Sequence, residues 1–255
     1  MQEKLSILVT NDDGITAPGI KHLIEAIKPF GEVVVVAPDS PQSGMGHAVT
    51  ISKPIRLEKI DLFEGIESYQ CSGTPADCVK LAVDQVWHHK PDLVVSGINH
   101  GSNASINVLY SGTMSAAIEG AIEGIPSIGF SLMDYSRDAN FNPAMPYIKK
   151  IVSEVIDKSL PTGVLLNVNI PKTDQIEGVK VCRQANAKWE ENFAERKDPH
   201  GRPYYWMVGI FKDHDQSDDT DLSALNEGYI SVVPTLFDLT AHQFMQNLKN
   251  WNLNE

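Results

Sequence analysis

The chain has 255 residues, enough to bury one sizeable hydrophobic core, and an α/β fold of this length is often a single domain. Hydrophobic residues make up 42% and charged residues 21%, as in an ordinary globular protein, so disorder is not expected. The formal net charge of −12 argues against the broad basic surface that holds a nucleic-acid duplex. A protein this acidic must gather any phosphate group locally, with backbone N–H groups, a helix N-terminus or a metal ion.

The three cysteines form neither a CxxC pair nor a zinc spacing, so we expect buried free thiols in a reducing compartment. No apolar run approaches the roughly 20 residues that span a bilayer. Residues 1–4 run directly into an apolar stretch, without the hydrophobic region of a signal peptide. We therefore expect a cytoplasmic protein with no membrane partner.

Short apolar, β-branched runs alternate with helical patterns over the first 170 residues. The apolar runs predict buried strands at 5–10, 33–37, 93–96, 127–131 and 164–170. The helical patterns predict helices at 19–28, 75–87, 113–123 and 144–158. The second helix has a clear start, because Thr74 suits the N-cap, Pro75 the first position, and Asp77 completes a capping box. This alternation predicts an α/β fold with a mostly parallel sheet flanked by helices, which binds ligands at the carboxyl ends of its strands.

The pattern changes after about residue 175. A turn-rich segment at 199–203 precedes a predicted strand at 204–211, an acidic loop at 213–221, a strand at 229–233 and a terminal helix at 241–251. We predict a single α/β domain over 1–255. Residues 1–175 form its core with the active site, and residues 176–255 form a β-rich extension, with a long hairpin and a C-terminal helix used in oligomer contacts.

Polar residues follow the first predicted strand directly, at Asn11, Asp12, Asp13 and Gly14. Two adjacent carboxylates at a strand end supply the oxygen ligands that Mg²⁺ or a similar ion prefers. Glycine lets the backbone turn sharply after them. The alternative is an Asx-rich turn whose side chains cap the following helix.

The loop at 38–47 is too long for a simple connector, and long loops in compact domains are usually functional. Ser43 offers a hydroxyl to a metal ion, and Gly44 with Gly46 offers backbone N–H groups to an anion. His47 is either a catalytic or phosphate-contacting group or an anchor for the loop. A flexible surface loop is the alternative for the whole segment.

Two more polar segments follow strands further along the chain. Asn99 offers a carbonyl oxygen suited to a hard cation, although a Gly/Asn-rich turn is the alternative. Ser111, Gly112 and Thr113 precede a small-faced apolar helix, whose N-terminal N–H groups and two hydroxyls make an anion site. Simple N-capping by the hydroxyls is the alternative. Carboxylates and an anion site in one crevice suit metal-assisted phosphoryl chemistry.

Long segments of the chain resemble the family of the stationary-phase survival protein SurE. They are ILVTNDDG at 7–14, APD at 37–39, SGxGH at 43–47, SGTPADCV at 72–79, VSGINHG at 95–101, YSGTxSAAxEG at 110–120, DPxGRPYYW at 198–206, TD at 220–221 and DLTAH at 238–242. Together they cover nearly the whole chain in the expected order.

The resemblance implies a Rossmann-like fold and a metal-dependent 5'-nucleotidase, an acid-type phosphatase acting on nucleoside 5'-monophosphates. Nucleoside 3'-monophosphates and short polyphosphate are further implied substrates. By position, the family's ligands for one divalent ion per subunit, Mg²⁺ or Mn²⁺, fall on Asp12, Asp13, Ser43 and Asn99. The family's C-terminal extension exchanges between subunits, which implies a homodimer or homotetramer.

We expect a metal-activated water to attack the phosphate in line, with one carboxylate as general base. Asp12, Asp13 and Asn99 are the expected catalytic residues. The residues expected to bind the substrate phosphate are Asn11, Gly44, His47, Ser111, Gly112 and Thr113.

Three rival functions are weighed against this expectation. A haloacid-dehalogenase-like phosphatase needs a nucleophilic Asp where Asn11 stands, and an amide cannot serve. A Rossmann oxidoreductase needs G-x-G-x-x-G in its first βα turn, and the chain has neither this motif nor a GxxxxGK[ST] P-loop. A nucleotide-binding regulator would bind nucleotide and metal without releasing phosphate.

Overall fold

The computed structural model describes residues 4–136 and 138–253, so residues 1–3, inspected above for a signal peptide, lie outside it. The strands, in chain order, are β1 Leu5–Thr10, β2 Gly31–Pro38, β3 Leu57–Phe63, β4 Ile66–Cys71, β5 Leu93–His100, β6 Ser127–Leu132, β7 Val164–Ile170, β8 Gly178–Val181, β9 Ala187–Lys197, β10 Pro203–Asp213 and β11 Tyr229–Leu236. The main sheet has the order β3-β4-β2-β1-β5-β6-β7-β11-β8, and β9 and β10 form a separate hairpin. The pairs β3–β4 and β7–β11 are antiparallel, while the other pairs of the main sheet are parallel.

Helices cover both faces of the main sheet. They are α1 Pro18–Ile27, α2 Pro75–Leu81, α3 Gly112–Ile122, α4 Met145–Lys158, α5 Asp221–Asn226 and α6 His242–Lys249, with 3₁₀ turns at Ser105–Leu109 and Asn142–Ala144 and a π-helical segment at Ala82–Trp87. Ile7 and Val9 pack with α1 and α4 on one face, whereas Leu8 packs with α2 on the other. This is the alternation that a strand buried on both faces requires. The predicted Rossmann-like α/β fold is confirmed.

The predicted capping box at the start of α2 is also confirmed. Thr74 Oγ1 accepts a hydrogen bond from the Asp77 N–H at 3.2 Å, and the Thr74 N–H donates to Asp77 Oδ2 at 2.9 Å. The helix predicted over 75–87 is α-helical only to Leu81, because its last turns continue as the π-helical segment.

The segment after residue 175 contributes to both sheets. β11 and β8 extend the main sheet, and β9 with β10 forms the long hairpin. The hairpin carries many exposed apolar side chains, among them Phe193, Tyr205 and Ile210. Across the described ranges, no helix combines the length and the hydropathy needed to cross a membrane.

Candidate active site

The turn after β1 stands at the carboxyl edge of the sheet, between the ends of β2 and β5. Asn11 Nδ2 donates to the Gly14 carbonyl oxygen at 2.8 Å. Gly14 has a φ of +95°, a conformation that favours glycine. The Ile15 N–H then donates to the Pro38 carbonyl oxygen at 2.8 Å, which ties the turn to the end of β2. The turn directs the chain towards α1 and leaves two adjacent carboxylates at the sheet edge.

Asp12 is the more buried of these carboxylates, with 5% of its surface exposed. Its backbone carbonyl accepts from the Gln42 N–H at 2.8 Å, and its Oδ1 accepts a hydrogen bond from Thr113 Oγ1. Burial, followed by repulsion from Asp13, raises the pKa of Asp12 to about 6. Holding this carboxylate ionised therefore costs free energy, which a bound cation would relieve.

Asp13 is half-buried and is held by the next strand. The His100 N–H at the end of β5 donates to Asp13 Oδ2 at 3.0 Å. Burial raises the pKa of Asp13 even though this hydrogen bond opposes the shift. Within residues 4–136 and 138–253, no salt bridge involves Asp12 or Asp13. The two carboxylates therefore form a negatively charged pair that lacks a protein cation among the described residues.

Asn99 lies beyond the predicted end of its strand, because β5 continues to His100 with a register shift against β6 after Ser96. Its side chain is buried, and its Nδ2 donates to the Gly101 carbonyl oxygen at 2.8 Å. The amide nitrogen is thus committed to the loop. The atom left for a ligand is Oδ1, an oxygen of the kind that hard cations prefer.

The N-terminus of α3 packs directly against Asp12. Ser111 is the N-cap, and its Oγ accepts from the Met114 N–H at 3.0 Å. A Cβ at Gly112 would lie 2.7 Å from Asp12 Cβ, so only glycine permits this approach. The Thr113 hydroxyl donates its hydrogen bond to Asp12. The first turn of the helix therefore presents backbone N–H groups next to the carboxylates.

The loop after β2 is attached both to the turn that carries the carboxylates and to the segment that enters α3. Gln42 holds it to Asp12, and the Gly46 N–H donates to the Tyr110 carbonyl oxygen at 3.1 Å. Ser43 and Gly44 are exposed between these two attachments. Ser43, whose hydroxyl is the expected metal ligand, thus directly follows the residue whose N–H donates to the Asp12 carbonyl oxygen.

His47 is anchored by the buried charge of Glu119. Its Nε2 lies 2.8 Å from Glu119 Oε2, and Lys80 Nζ lies 2.5 Å from Glu119 Oε1. Burial opposes the charge on Glu119, but the hydrogen bonds from His47 and Lys80 outweigh it and hold the pKa of Glu119 below its ordinary value. Because Nε2 is hydrogen-bonded to Glu119, His47 acts here as an anchor for the loop.

Sequence reasoning missed Glu119 and Lys80, which come from α3 and α2. The signal for Glu119 was a lone charge within the small-residue helix pattern. Sequence reasoning also missed Asn167 and Asn169 of β7. Asn169 Oδ1 accepts from the Asn103 N–H at 2.7 Å, and Asn167 Nδ2 donates to the Asn103 carbonyl oxygen at 2.9 Å. Both hydrogen bonds support the loop that follows Asn99. The sequence signal for them was the presence of two amide side chains in a strand predicted to be buried.

The site fits a divalent ion by the chemistry of its donors. It combines two adjacent carboxylates with an amide oxygen and a hydroxyl, which are the hard oxygen ligands of Mg²⁺ and Mn²⁺. Asn11 Oδ1, in the same turn, is buried and has no hydrogen-bond partner in the described part of the chain. Residues 4–136 and 138–253 contain no group of three or more His, Cys, Asp or Glu side chains with metal-site geometry. A metal ion at Asp12 and Asp13 would therefore also need neutral oxygen ligands, such as the Asn99 amide and the Ser43 hydroxyl.

The model of the family described as Survival protein SurE matches residues 7–191. This range includes every residue of the site and most of the main sheet. The chain belongs to the SurE family. Curated relatives in the family are named 5'-nucleotidases, which confirms the expectation that the protein is an enzyme of the hydrolase class.

Named members of the SurE family are similar over their whole lengths. The chain is 60% identical to the 5'-nucleotidase SurE of Christiangramia forsetii, over 100% of this chain and 99% of the relative. It is also 60% identical to the 5'-nucleotidase SurE of Flavobacterium psychrophilum, over 98% of each. The crystal structure of the SurE protein from Aquifex aeolicus has a TM-score of 0.83 and 41% identity, over 96% of this chain and 98% of that one.

Proposed function

We propose that the chain is a divalent-metal-dependent phosphomonoesterase that hydrolyses nucleoside 5'-monophosphates to nucleoside and phosphate. One observation carries the proposal: two adjacent carboxylates with raised pKa values lie at the carboxyl edge of the sheet, and one of them, Asp12, contacts the N-terminus of α3. Negative ligands for a cation and N–H donors for an anion thus border one crevice. The name 5'-nucleotidase, which the relatives carry, supports this substrate class.

The proposed ligands of one Mg²⁺ or Mn²⁺ ion are Asp12, Asp13, Ser43 and Asn99. Asp12 and Asp13 are fixed in advance by Thr113 and by the backbone of His100, so little side-chain entropy is lost on binding. A bound divalent ion supplies charge neutralisation for the phosphate and lowers the pKa of a water molecule.

The general base in this proposal is Asp13. Asp12 Oδ1 already accepts from Thr113 and lies in a nearly closed position, whereas Asp13 is more exposed and accepts only one hydrogen bond within the described ranges, at Oδ2. Its Oδ1 is therefore the atom that takes the proton of the attacking water.

The phosphate is held by the first turn of α3 and by the loop after β2. The Ser111 hydroxyl accepts from the Met114 N–H, so its own proton is free to donate to a phosphate oxygen. Thr113 itself serves Asp12, because both its hydroxyl and its backbone N–H donate to that carboxylate. Gly112 and Gly44 let a phosphate oxygen approach the backbone closely.

Asn11 and His47, which were also expected to contact the phosphate, take indirect roles in this proposal. Asn11 shapes the turn, since its Nδ2 donates to the Gly14 carbonyl oxygen. His47 holds the loop through Glu119, which leaves only Nδ1 to face the substrate. Both residues therefore position groups that touch the phosphate.

We further propose a homodimer or homotetramer in the cytoplasm, with residues 1–175 as the catalytic core and 176–255 as the extension of a single domain. The exposed apolar side chains of the β9–β10 hairpin support an assembly contact. The three buried, unpaired cysteines support a reducing compartment.

A phosphate-release panel tests the proposed activity. Purified protein is freed of metal with a chelator and assayed with nucleoside 5'-monophosphates, nucleoside 3'-monophosphates and short polyphosphate, each with Mg²⁺ or Mn²⁺. We expect phosphate release from the 5'-monophosphates, with the other two as slower substrates. Tight nucleotide binding without phosphate release under any of these conditions would instead identify a nucleotide-binding regulator.

A further inference from the structure

Three asparagines, one in the loop after β5 and two in β7, have buried side chains. Asn103 is 7% exposed, Asn167 is 2% exposed and Asn169 is 0% exposed. Asparagine lies mostly at protein surfaces, because a buried amide without hydrogen-bond partners costs free energy. No step of the proposed reaction uses these three amides, so their burial needs a reason of its own.

The register of the strands connects these amides to Asn99, a proposed metal ligand. Asn99 of β5 pairs with Ser131 of β6, and Ser131 pairs with Asn169 of β7, so the three residues form one row across the sheet. Asn167 lies two residues before Asn169 and therefore projects from the same face of β7. The loop at residues 101–104 follows β5 and contacts this row through Asn103.

Side chains of β6 and β7 supply the hydrogen bonds of Asn103. Its N–H donates to Asn169 Oδ1 at 2.7 Å, and its carbonyl oxygen accepts from Asn167 Nδ2 at 2.9 Å. Its own Nδ2 donates to Ser131 Oγ at 2.8 Å, and Asn169 Nδ2 donates to Asn167 Oδ1 at 2.9 Å. We call these four residues the amide network. They fix both the backbone and the side chain of Asn103 to the sheet.

The same loop positions the amide of Asn99. Ser102 Oγ donates to Asn169 Oδ1 at 3.2 Å, and the Gly101 N–H donates to the Leu132 carbonyl oxygen at 2.8 Å. The Gly101 carbonyl oxygen in turn accepts from Asn99 Nδ2 at 2.8 Å. The location of this carbonyl therefore depends on the bonds that hold residues 102 and 103.

The Gly101 carbonyl decides which atom of the Asn99 amide is left for a cation. The oxygen and the NH₂ group of an amide are similar in size, and rotation by about 180° around the terminal torsion exchanges them. A carbonyl oxygen accepts only from the NH₂ group, so this bond selects the orientation that leaves Oδ1 free. A hard cation binds the amide oxygen, whereas the NH₂ group offers it only donors.

We propose that the amide network is a positioning device for the metal site, with Asn169 at its centre. It holds the loop after β5 so that the Gly101 carbonyl keeps Asn99 Oδ1 available to the ion. The inference rests on the proposed metal-dependent function and adds residues that set the affinity for the ion. Asn169 is a positioning residue, because it acts on the ion only through the loop and Asn99.

Mn²⁺ binding to the Asn169→Ala variant tests this role without any turnover. Electron paramagnetic resonance measures the free ion in a titration of the full-length protein. Residues that support metal ligands change metal affinity by about 10- to 100-fold, so we expect the Kd for Mn²⁺ to rise by this factor. The kcat for AMP is expected to recover at saturating Mn²⁺, because the ligands themselves are intact. A kcat that stays low at saturating Mn²⁺ would contradict a role in ion affinity.

A milder variant covers the case in which Asn169→Ala does not fold. Ser102 is half-buried, and Ser102→Ala removes its hydrogen bond to Asn169 while it leaves the amides in place. Loss of one hydrogen bond is expected to raise the Kd for Mn²⁺ by about 2- to 10-fold. A wild-type Kd in Ser102→Ala and in any folded Asn169→Ala protein would overturn the proposal and leave the proposed hydrolysis intact.

Two control variants separate positioning from stability. Val168→Ala truncates the buried neighbour of Asn169 that packs on the opposite face of β7. Ser231→Ala removes a buried hydroxyl that pairs with Asn169 in register but has no hydrogen-bond partner in the described part of the chain. Both are expected to bind Mn²⁺ like wild type. Equal weakening by Val168→Ala would overturn the proposal, and a wild-type protein that binds no Mn²⁺ would overturn it together with the metal site.

Discussion

Asp12 and Asp13 are adjacent in sequence, yet different elements hold them. α3 encloses Asp12 through Thr113 and Gly112, whereas the backbone at the end of β5 holds Asp13. Because each carboxylate has its own fixed partner, the pair keeps its geometry although the two charges repel each other. The partners act before any substrate or ion arrives, which is the preorganisation that catalytic sites require.

The Asp13→Asn substitution tests both roles proposed for Asp13, metal ligand and general base. Even partners outside a metal's own ligand shell change affinity or activity by about 10- to 100-fold, so we expect the loss of kcat/KM for AMP to exceed roughly 100-fold. The amide keeps the size of the side chain, so circular dichroism and the melting temperature should remain close to wild type. Retention of near-normal kcat/KM by a folded Asp13→Asn variant would show that this carboxylate is neither ligand nor base.

Gly112→Ala tests the contact between α3 and Asp12. The added methyl group would lie 2.7 Å from Asp12 Cβ and 2.9 Å from Asp12 Oδ2, so the carboxylate or the helix must shift. A displacement of this kind costs up to about 100-fold in rate. Steady-state kinetics with AMP should show this loss in a chain that still folds, because alanine is the better helix former. Unchanged kinetics would mean that the close approach is irrelevant to the site.

At the scale of elements, α3 serves both the sheet and the crevice. Its N-terminus faces the carboxylates, and its next turns carry Glu119, which ties His47 of the loop after β2 to Lys80 of α2. Glu119 is 2% exposed, so its hydrogen bonds to His47 and Lys80 join the loop, α2 and α3 around a buried carboxylate. The loop that carries Ser43 is thereby attached to the helix that is proposed to bind phosphate.

Glu119 also predicts a pH dependence of stability. Because its pKa is lowered in the folded chain, ionised Glu119 stabilises the fold fully above the unfolded value near 4.5, and this contribution is lost as pH falls through the lower folded pKa. We expect Glu119→Gln to reduce the free energy of unfolding at pH 7 by about 1.5 to 3 kcal/mol.

Urea denaturation across pH measures this effect. The stability curves of wild type and Glu119→Gln should converge as pH falls below 4.5. A constant difference between the curves down to low pH would contradict the role given to the charge. Glu123→Gln, at the half-buried C-cap of the same helix, is the matched control and should change stability little, because its ion pair with Lys90 is long at 3.8 Å.

The sequence predicted the central elements well because their pattern is set by burial on both faces. β1 and β7 match the predicted strands residue for residue, and both are mainly apolar and largely buried. β9 was missed because its sequence, AKWEENFAERK, is polar and almost fully exposed, so no burial pattern marks it. β3 and β4 were missed at the sheet edge for a similar reason, since few of their residues are buried.

The sequence indicates the candidate site where its residues lie near strand ends. It does not indicate the contacts between residues that are far apart in the chain. The positions of Asp12, Asp13 and Asn99 follow from the rule that ligands bind at the carboxyl ends of parallel strands. The contact of Thr113 with Asp12 spans 101 residues of chain, and that of Glu119 with His47 spans 72. No local pattern encodes such pairs, because they arise only when the sheet order brings the loops together.

At the scale of the whole molecule, the β9–β10 hairpin is the surface that a monomer leaves exposed. Apolar side chains on the hairpin, such as Phe193, Tyr205 and Ile210, contact water in the isolated chain. Sedimentation equilibrium should therefore give two or four times the chain mass of 28.1 kDa. Replacing Phe193 and Tyr205 together by glutamate should lower this mass, because charge is costly in an apolar contact. A wild-type protein that sediments as a monomer at micromolar concentration would contradict the proposed assembly.

In the proposed reaction, this acidic molecule hydrolyses nucleotides with a metal ion held at Asp12 and Asp13. Phosphate release from AMP, measured with chelator-treated protein before and after Mn²⁺ or Mg²⁺ is returned, tests whether hydrolysis needs the ion. We expect no release above background without metal and full recovery of activity when the ion is restored. Equal phosphate release by the metal-free and the metal-loaded protein would contradict the proposed reaction.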